Sequence, residues 1–425
     1  MLAFFGCKKE RLNSKLEAPK HVFGVRQGLI TDSAMVVSAR KEASQVGLDI
    51  MKKGGNAVDA AIAVEFAMAV TFPYAGNLGG GGFMVIRMAD GTTNTLDFRE
   101  KAPLAGSHDM YLDDEGNVVP KLSSRGHLSV GVPGTVSGMA EAHKKYGSLS
   151  WAELIQPSVD LAREGYIATE NQAKWLNAQH DPFIQYNPEE SYYLVKDVPW
   201  MAGDTVKQEA LAQTLDRIIE NGRDGFYRGK TAELFLAEMK RGRGIITQKD
   251  LDEYQAQWRP ALRGKFKDYG IITMGPPSSG GLVLLQLLGM VEDYQFEKWG
   301  PDAPETVHRM AEAERRAYAD RAEYMGDPDF VEVPTKALLD PAYLKTRMAS
   351  FDPQKATLSS DIRHGEPHGE PTETTHFSII DPTGNAVAVT TTLNSAYGSK
   401  VWVGGAGFLL NNEMDDFSAK PGVPN

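Results

Sequence analysis

Residues 57–70 are apolar on every side of a helical projection except at Asp59 and Glu65. A helix with no polar face has to lie inside the fold, with other elements packed all round it. Asn56 is placed to cap its N-terminus. No run in the chain reaches the roughly 18 apolar residues needed to span a bilayer, so no transmembrane helix is expected. The neighbours of this helix read as its packing partners. Met35–Ser38 is a short strand candidate, and Lys41–Lys53 is a helix with Ala43, Val46, Ile50 and Met51 on one stripe, stopped by Gly54-Gly55. The run Gly79–Gly82 follows a helix and precedes a strand, Phe83–Met88. Phosphate loops run in the opposite order, strand to glycines to helix, and no Gly-Lys-Ser/Thr is present. The run therefore reads as a close approach of backbones. Asp90-Gly91 turns the chain into a strand over Thr92–Phe98.

Helical spacing recurs over Thr135–Tyr146, Ser150–Glu164, Glu209–Asn221 and Thr231–Arg241. Trp175, Phe183, Tyr186, Tyr192, Tyr193 and Trp200 stud a looser region and are expected to pack under irregular loops. A strand at 271–274 leads through Gly275–Gly281 to a helix, Leu282–Glu292. Ser279 lacks the Gly-x-Ser-x-Gly spacing of a nucleophile elbow and reads as a helix cap. In the helix Glu305–Tyr324, Met310, Ala313, Ala317 and Ala319 are packing positions. Its charges Glu312, Glu314, Arg315 and Arg316 are expected on a solvated face.

A net charge of −11 over 425 residues leaves no basic field for nucleic acid or anionic lipid. One cysteine, Cys7, excludes an internal disulfide and a cysteine-based metal cluster. Residues 1–10 read in two ways, as a frayed terminus or as the tail of a lipoprotein signal with a lipid anchor at Cys7. The second reading requires a start upstream of Met1. The nine histidines are dispersed, and His364 and His368 lie in a Gly/Pro-rich stretch, so no metal and no cofactor is expected.

From Asp352 to Glu373 the only clearly apolar residues are Ala356, Leu358 and Ile362, while Pro353, Pro367 and Pro371 interrupt regular structure. Such a segment reads as an exposed linker. Directly after it Thr374–Ile380 alternates as a strand, Asp381–Gly384 turns, and Asn385–Thr392 returns. A two-residue loop would set Thr374 opposite Thr391; a longer loop or bulge would set it opposite Thr392. A strand that starts with threonine after an exposed linker suggests a cut that frees a threonine N-terminus. The freed α-amine can then act as base for the hydroxyl. On periodicity alone an ordinary hairpin rich in β-branched residues is the stronger reading. Arg99, where a strand opens into a loop, suits the grip of a carboxylate, although a surface pair with Asp97 or Glu100 is the commoner arrangement.

The ordered motifs Gly55-Asn56-Ala57-Val58-Asp59-Ala60-Ala61, Asn77 through Gly82, Asp97-Phe98-Arg99-Glu100, Pro276 through Gly281, Thr374 through Ser378 and Leu410 through Phe417 tip the balance. Over about Met35–Asn425 the chain resembles the gamma-glutamyltransferase (glutathione hydrolase) precursors of the N-terminal-nucleophile hydrolase superfamily. The resemblance implies an αββα four-layer sandwich of the α/β (α+β) class, incomplete at the C-terminus. It implies a leader over 1–34, a large-subunit region over 35–373 ending in the linker 352–373, and the start of a small-subunit region at 374–425. It makes the Glu373–Thr374 bond the self-cleavage site, Thr374 the nucleophile, and Thr392 the threonine that helps activate it. Arg99 becomes the residue for the glutamyl α-carboxylate, with Asn394, Glu413 and Asp416 around the rest of the glutamyl group. Glutathione and related donors, and water, an amino acid or a dipeptide as acceptor, are the implied partners, with a periplasmic or other extracytoplasmic location. The alternatives are a cephalosporin or glutaryl-type acylase of the same architecture, or an inactive glutamate-binding homologue. The resemblance also implies that this sequence stops short of a paired serine and of the glycine-rich loop that supplies the oxyanion hole.

Overall fold

The computed structural model describes residues 28–187, 198–362 and 374–420, with Thr374 through its backbone alone. Cys7, Tyr192, Tyr193, His364, His368, Glu373 and the last five residues lie outside the described residues. Two units divide at Ser33. Residues 28–33 of the first are exposed and carry no regular element, and the second runs from Ala34 onward.

The second unit is built on one six-stranded antiparallel sheet. In chain order its strands are β1 (Met35–Val37), β2 (Gly81–Arg87), β3 (Thr93–Asp97), β4 (Gln257–Arg259), β5 (Thr374–Ile380) and β6 (Ala386–Thr392). Across the sheet they run β1-β5-β6-β2-β3-β4. The hairpin β5–β6 thus occupies the interior, although it comes last in the chain.

Helices α1 (Lys41–Lys52), α2 (Ala57–Thr71), α3 (Thr135–Tyr146) and α4 (Trp151–Glu164) supply the helical packing beside it. All 15 residues of α2 are buried, as its all-round apolar character requires. Asn56 accepts the amides of Val58 and Asp59 at 2.8 and 3.0 Å, and Asp59 accepts the amide of Asn56 at 2.9 Å, a complete capping box. Asp381, in the β5–β6 turn, accepts the Ala57 amide at 2.9 Å. A carboxylate at the positive end of the helix dipole ties the hairpin to the central helix.

The sheet has two unlike faces. Phe377, Ile379, Val387, Val389, Met84, Ile86 and Leu96 are buried among the helices. On the other face His376, Ser378 and Ile380 are exposed, and Ala386, Ala388, Thr390 and Thr392 are half-buried. The turn settles the register that the sequence left open. The Asp381 amide donates to the Asn385 carbonyl at 3.0 Å, so three residues form the loop and Thr374 pairs with Thr392.

The four-glycine run is a close backbone approach. A Cβ at Gly79 would fall 2.2 Å from the Leu409 carbonyl oxygen, and one at Gly82 would fall 2.1 Å from that of Thr390. Other expectations are corrected. Trp175, Phe183 and Tyr186 belong to short helices, Glu170–Ala178 and His180–Tyr186, and not to irregular loops. Trp175 packs its ring 4.8 Å from Tyr74, and Phe183 lies 5.5 Å from Tyr397, so tertiary packing supplies what helical spacing alone did not reveal. Ser279 precedes helix α5 (Gly280–Val291) without capping it, because its hydroxyl takes a bond from Arg321 Nε at 3.0 Å.

A second apolar cluster joins α5, α6 (Pro304–Tyr324) and Leu344. Glu314 and Arg315 of α6 are exposed, but Glu312 and Arg316 are each only 1% exposed and pair at 2.6 Å. Arg316 also bonds the Arg347 carbonyl and Ser350, each at 2.8 Å, and Glu312 takes the Thr357 amide at 2.9 Å. The pair is buried because the segment 347–357 folds across it, a long-range contact that helical spacing cannot show. Among the described residues no helix is long and apolar enough to cross a membrane.

Candidate active site

Residues directly opposite in an antiparallel pair share a face of the sheet. Thr392 is paired on one side with Thr374 and on the other with Gly81. Thr391 is wholly buried toward α2, where its hydroxyl meets Glu65 at 2.8 Å, so Thr392 and Gly81 present to the open face. Gly82 and Phe98 exchange backbone hydrogen bonds at 3.0 and 3.3 Å. Arg99 follows Phe98 directly, and its guanidinium lies 5.9 Å from the centre of the Phe83 ring, two residues along β2 from Gly81. Thr374, Thr392 and Gly81 therefore form one row across neighbouring strands, with Arg99 beside its Gly81 end.

The Thr392 hydroxyl accepts the Asn394 amide at 2.8 Å. Asn394 has φ +71°, in the left-handed region that asparagine tolerates better than most residues, and its side-chain amide donates to the Asn412 carbonyl at 3.0 Å. Asn77 braces the same strand from beneath, donating to the Thr392 carbonyl at 2.8 Å and to the Thr391 hydroxyl at 3.1 Å. Its oxygen accepts from the Gly80 amide and the Thr135 hydroxyl.

At the other end of the row Arg99 Nη2 lies 2.6 Å from Glu413 Oε1 and bonds Asp416 as well. Both acids sit on a single 3₁₀ turn, Glu413–Asp416. Asn411, wholly buried, holds that turn in place. Its side chain takes the amides of Gly131 and Glu413 and donates to the carbonyls of Gly79 and Gly131. The arrangement corrects the surface-pair expectation for Arg99. Asp97 is engaged by Arg259 Nε at 2.7 Å, and Glu100 is buried with neither carboxylate oxygen hydrogen-bonded among the described residues. Burial disfavours the charge on Arg99, but Glu413 and Asp416 outweigh it and raise its pKa. Burial pushes the Glu413 carboxyl up to about 7, with Arg99 pulling the other way.

The sequence-derived candidates thus fall into two linked groups, Thr374 with Thr392 and Asn394, and Arg99 with Glu413 and Asp416. Glu373 and the Thr374 side chain lie outside what is described. Residue-level reasoning assigned no part to Asn77, Asn411 or Glu65. Their one signal was a buriable polar residue inside an apolar or glycine-rich run, and all three prove to be buried. Among the described residues no group of three or more His, Cys, Asp and Glu side chains is placed to hold a metal.

A family model described as gamma-glutamyltranspeptidase matches residues 43–425. The chain belongs to the gamma-glutamyltranspeptidase family. It is 46% identical over 415 residues to the glutathione hydrolase proenzyme of Escherichia coli strain K12, covering 96% of this chain and 71% of that relative. The gamma-glutamyltranspeptidase structure from Helicobacter pylori superposes with a TM-score of 0.77 at 44% identity, over 80% of this chain and 99% of that one. A cephalosporin acylase from Bacillus halodurans superposes with a TM-score of 0.82 at 27% identity, over 96% of this chain and 74% of that one. The mixed helix-and-sheet architecture is that of the N-terminal-nucleophile hydrolases, and the chain is an enzyme of that class.

Proposed function

We propose that the chain is the precursor of an enzyme that transfers and hydrolyses γ-glutamyl groups, with Thr374 as nucleophile once the Glu373–Thr374 bond is cut. The observation that carries this reading is the row that pairs Thr374 with Thr392 and leads over Gly81 to an arginine held by two acids. The freed Thr374 amine, with a reference pKa of roughly 7.7–8.0, takes the hydroxyl proton near neutral pH. The hydroxyl oxygen attacks the γ-carbonyl carbon, the C–N bond breaks, and the leaving amine departs with that proton. A γ-glutamyl ester of Thr374 remains. Water, an amino acid or a dipeptide then attacks the ester carbonyl, and Thr374 regains its proton.

Thr392, its hydroxyl oriented by the Asn394 amide, supports the nucleophile from the opposite strand. Arg99 offers its planar fork to the α-carboxylate of the glutamyl group, while Glu413 and Asp416 meet the α-ammonium and Asn394 lines the same end. One cation beside two anions matches an amino-acid zwitterion. Glutathione is the donor we favour, since relatives 46% identical are named glutathione hydrolases.

N-terminal sequencing of the mature protein should find a chain that starts at Thr374. A Thr374→Ala variant should stay a single chain and lose turnover of a γ-glutamyl anilide. An uncleaved yet active enzyme overturns the mechanism. The likeness to a cephalosporin acylase gives a second reading, and faster turnover of glutaryl amides than of glutathione would favour it. We also infer a location outside the cytoplasm, since a single cysteine in 425 residues suits an oxidising compartment; lipidation of Cys7 is one of the two readings of residues 1–10. Fatty-acid labelling abolished by Cys7→Ala tests this, and an unlabelled native protein refutes it.

A further inference from the structure

Glu100 has no part in the mechanism above, yet its placement is unusual. It is 8% exposed, and neither carboxylate oxygen has a hydrogen-bond partner among the described residues. Its neighbour in sequence, Arg99, turns both ion pairs toward Glu413 and Asp416. A Cβ built on Gly81 would lie 2.6 Å from Glu100 Oε2, so the carboxyl fills the space that a side chain at Gly81 would occupy. Because Gly81 is paired with Thr392, that space lies on the side of the sheet that Thr392 presents.

The charges there do not balance. Glu100, Glu413 and Asp416 supply three acids against the one guanidinium of Arg99. Glu413 Oε2 is a further buried oxygen without a hydrogen-bond partner among the described residues. Among the described residues the surrounding elements offer no second side-chain cation. Asp97 is committed to Arg259, Lys101 rests its ammonium 5.6 Å from the centre of the Tyr254 ring, and Tyr254 spends its hydroxyl on the Arg99 carbonyl at 2.7 Å. Tyr227, stacked on Tyr254, donates to the Pro133 carbonyl. A buried carboxylate with no partner is costly, so in the empty site an acid here is most stable with its proton on. A primary ammonium reverses this. It brings three donors and one positive charge, and the orphaned oxygens of Glu100 and Glu413 are acceptors without work.

We propose that Glu100 is a further substrate-binding residue, an acid that is protonated in the empty site and releases its proton to solvent as the α-ammonium of a γ-glutamyl group arrives. The balance is simple: a carboxylic acid and an ammonium ion become a carboxylate–ammonium pair plus one solvated proton. Burial and the nearby Glu413 both raise the Glu100 carboxyl well above the usual carboxylate range, in keeping with this. Glu413 is the competing source of the proton. The inference rests on the γ-glutamyl reading but can fail separately from it.

The test is calorimetric titration of the mature protein with L-glutamate near pH 6.5, in two buffers of different ionisation enthalpy, beside turnover of a γ-glutamyl anilide. The native protein should release about one proton per glutamate bound. Glu100→Gln should release none attributable to this position, bind roughly tenfold more weakly at pH 8, and keep kcat within a few-fold. Glu100→Asp, which retains the acid, should restore proton release. Undiminished release from Glu100→Gln assigns the proton to Glu413 and overturns the proposal, as does binding by the native protein without release. Turnover without proton release sinks this inference alone. Glutamate binding with proton release but no γ-glutamyl turnover sinks the catalytic reading and leaves this one standing.

Discussion

Two arginines in this chain, Arg316 and Arg99, are each paired with carboxylates, and they are used in opposite ways. Arg316 is 1% exposed, meets one acid, and spends its remaining donors on the Arg347 carbonyl, the Glu312 carbonyl and Ser350. Its partner Glu312 is equally closed in, and the Thr357 amide meets its other oxygen. Arg99 is 31% exposed, faces Glu413 and Asp416, and has the unpartnered Glu100 beside it. Arg316 and Glu312 satisfy each other and spend their remaining groups on neighbouring protein atoms, so the pair has nothing to offer a ligand. The Arg99 cluster carries surplus acid and idle acceptors, an arrangement that a zwitterion would complete. Incomplete satisfaction, more than the presence of charge, separates a binding site from a structural tie.

The contrast can be broken most severely at Arg316. Arg316→Ala removes the close cation from buried Glu312, leaving the longer 3.5 Å contact with exposed Arg315, and should cost about 3 kcal/mol of stability, read as a fall in the denaturation midpoint. The double variant Arg316→Met with Glu312→Leu should recover most of that loss, since an apolar pair of similar volume avoids desolvating two charges. At Arg99 the effect should move from stability to binding. Arg99→Ala should leave the midpoint within about 1 kcal/mol of the native value while kcat/KM falls on the order of a hundredfold, about 2.7 kcal/mol. Arg99→Lys keeps the charge but loses the fork, so a smaller loss, roughly tenfold and mostly in KM, is expected. If Arg99→Ala unfolds the protein, or Arg316→Ala raises KM without destabilising it, the division of labour is wrong.

The same contrast explains what could be seen in the sequence. The helix over 57–71 and the hairpin over 374–392 were legible because each rests on local pattern: an all-round apolar run behind an N-cap, and strict alternation about a tight turn. The registers of Thr374 and Thr392 were legible to within one residue, and the three-residue loop decided between them. Arg316 and Glu312 were misplaced on a solvated face because their burial depends on residues 347–357 crossing the helix, which spacing along α6 cannot report. Arg99 fared better only through motif resemblance, since its acids lie more than 300 positions away in the chain. The buried settings of Glu100 and Glu65 were invisible for a related reason. A glutamate next to an arginine looks like an exposed pair, and one in an apolar helix looks like a tolerated exception, until the sheet folds over them.

Glu65 sharpens the comparison from the covered face of the same sheet. It is completely buried in α2, with one oxygen on the Thr391 hydroxyl at 2.8 Å and the other without a partner. No cation among the described residues is paired with it, and burial pushes its carboxyl up to about 8 despite the Thr391 bond. The folded protein therefore holds a proton at Glu65 that the unfolded chain releases at a reference pKa of roughly 4.3. Unfolding releases that proton between these limits, so this group's contribution to stability is fully present below the lower one. It falls as pH climbs, by up to about 1.4 kcal/mol per pH unit, until the folded protein ionises near the upper limit. Glu65→Gln keeps a neutral group of the same shape and should remove that one-proton slope from stability measured by denaturant between pH 5 and 8. KM for a γ-glutamyl donor should stay unchanged, because this face of the sheet meets no substrate. An unaltered slope would mean that Glu65 is ionised in the fold, and the covered face would then hold a charge balanced by something other than Thr391.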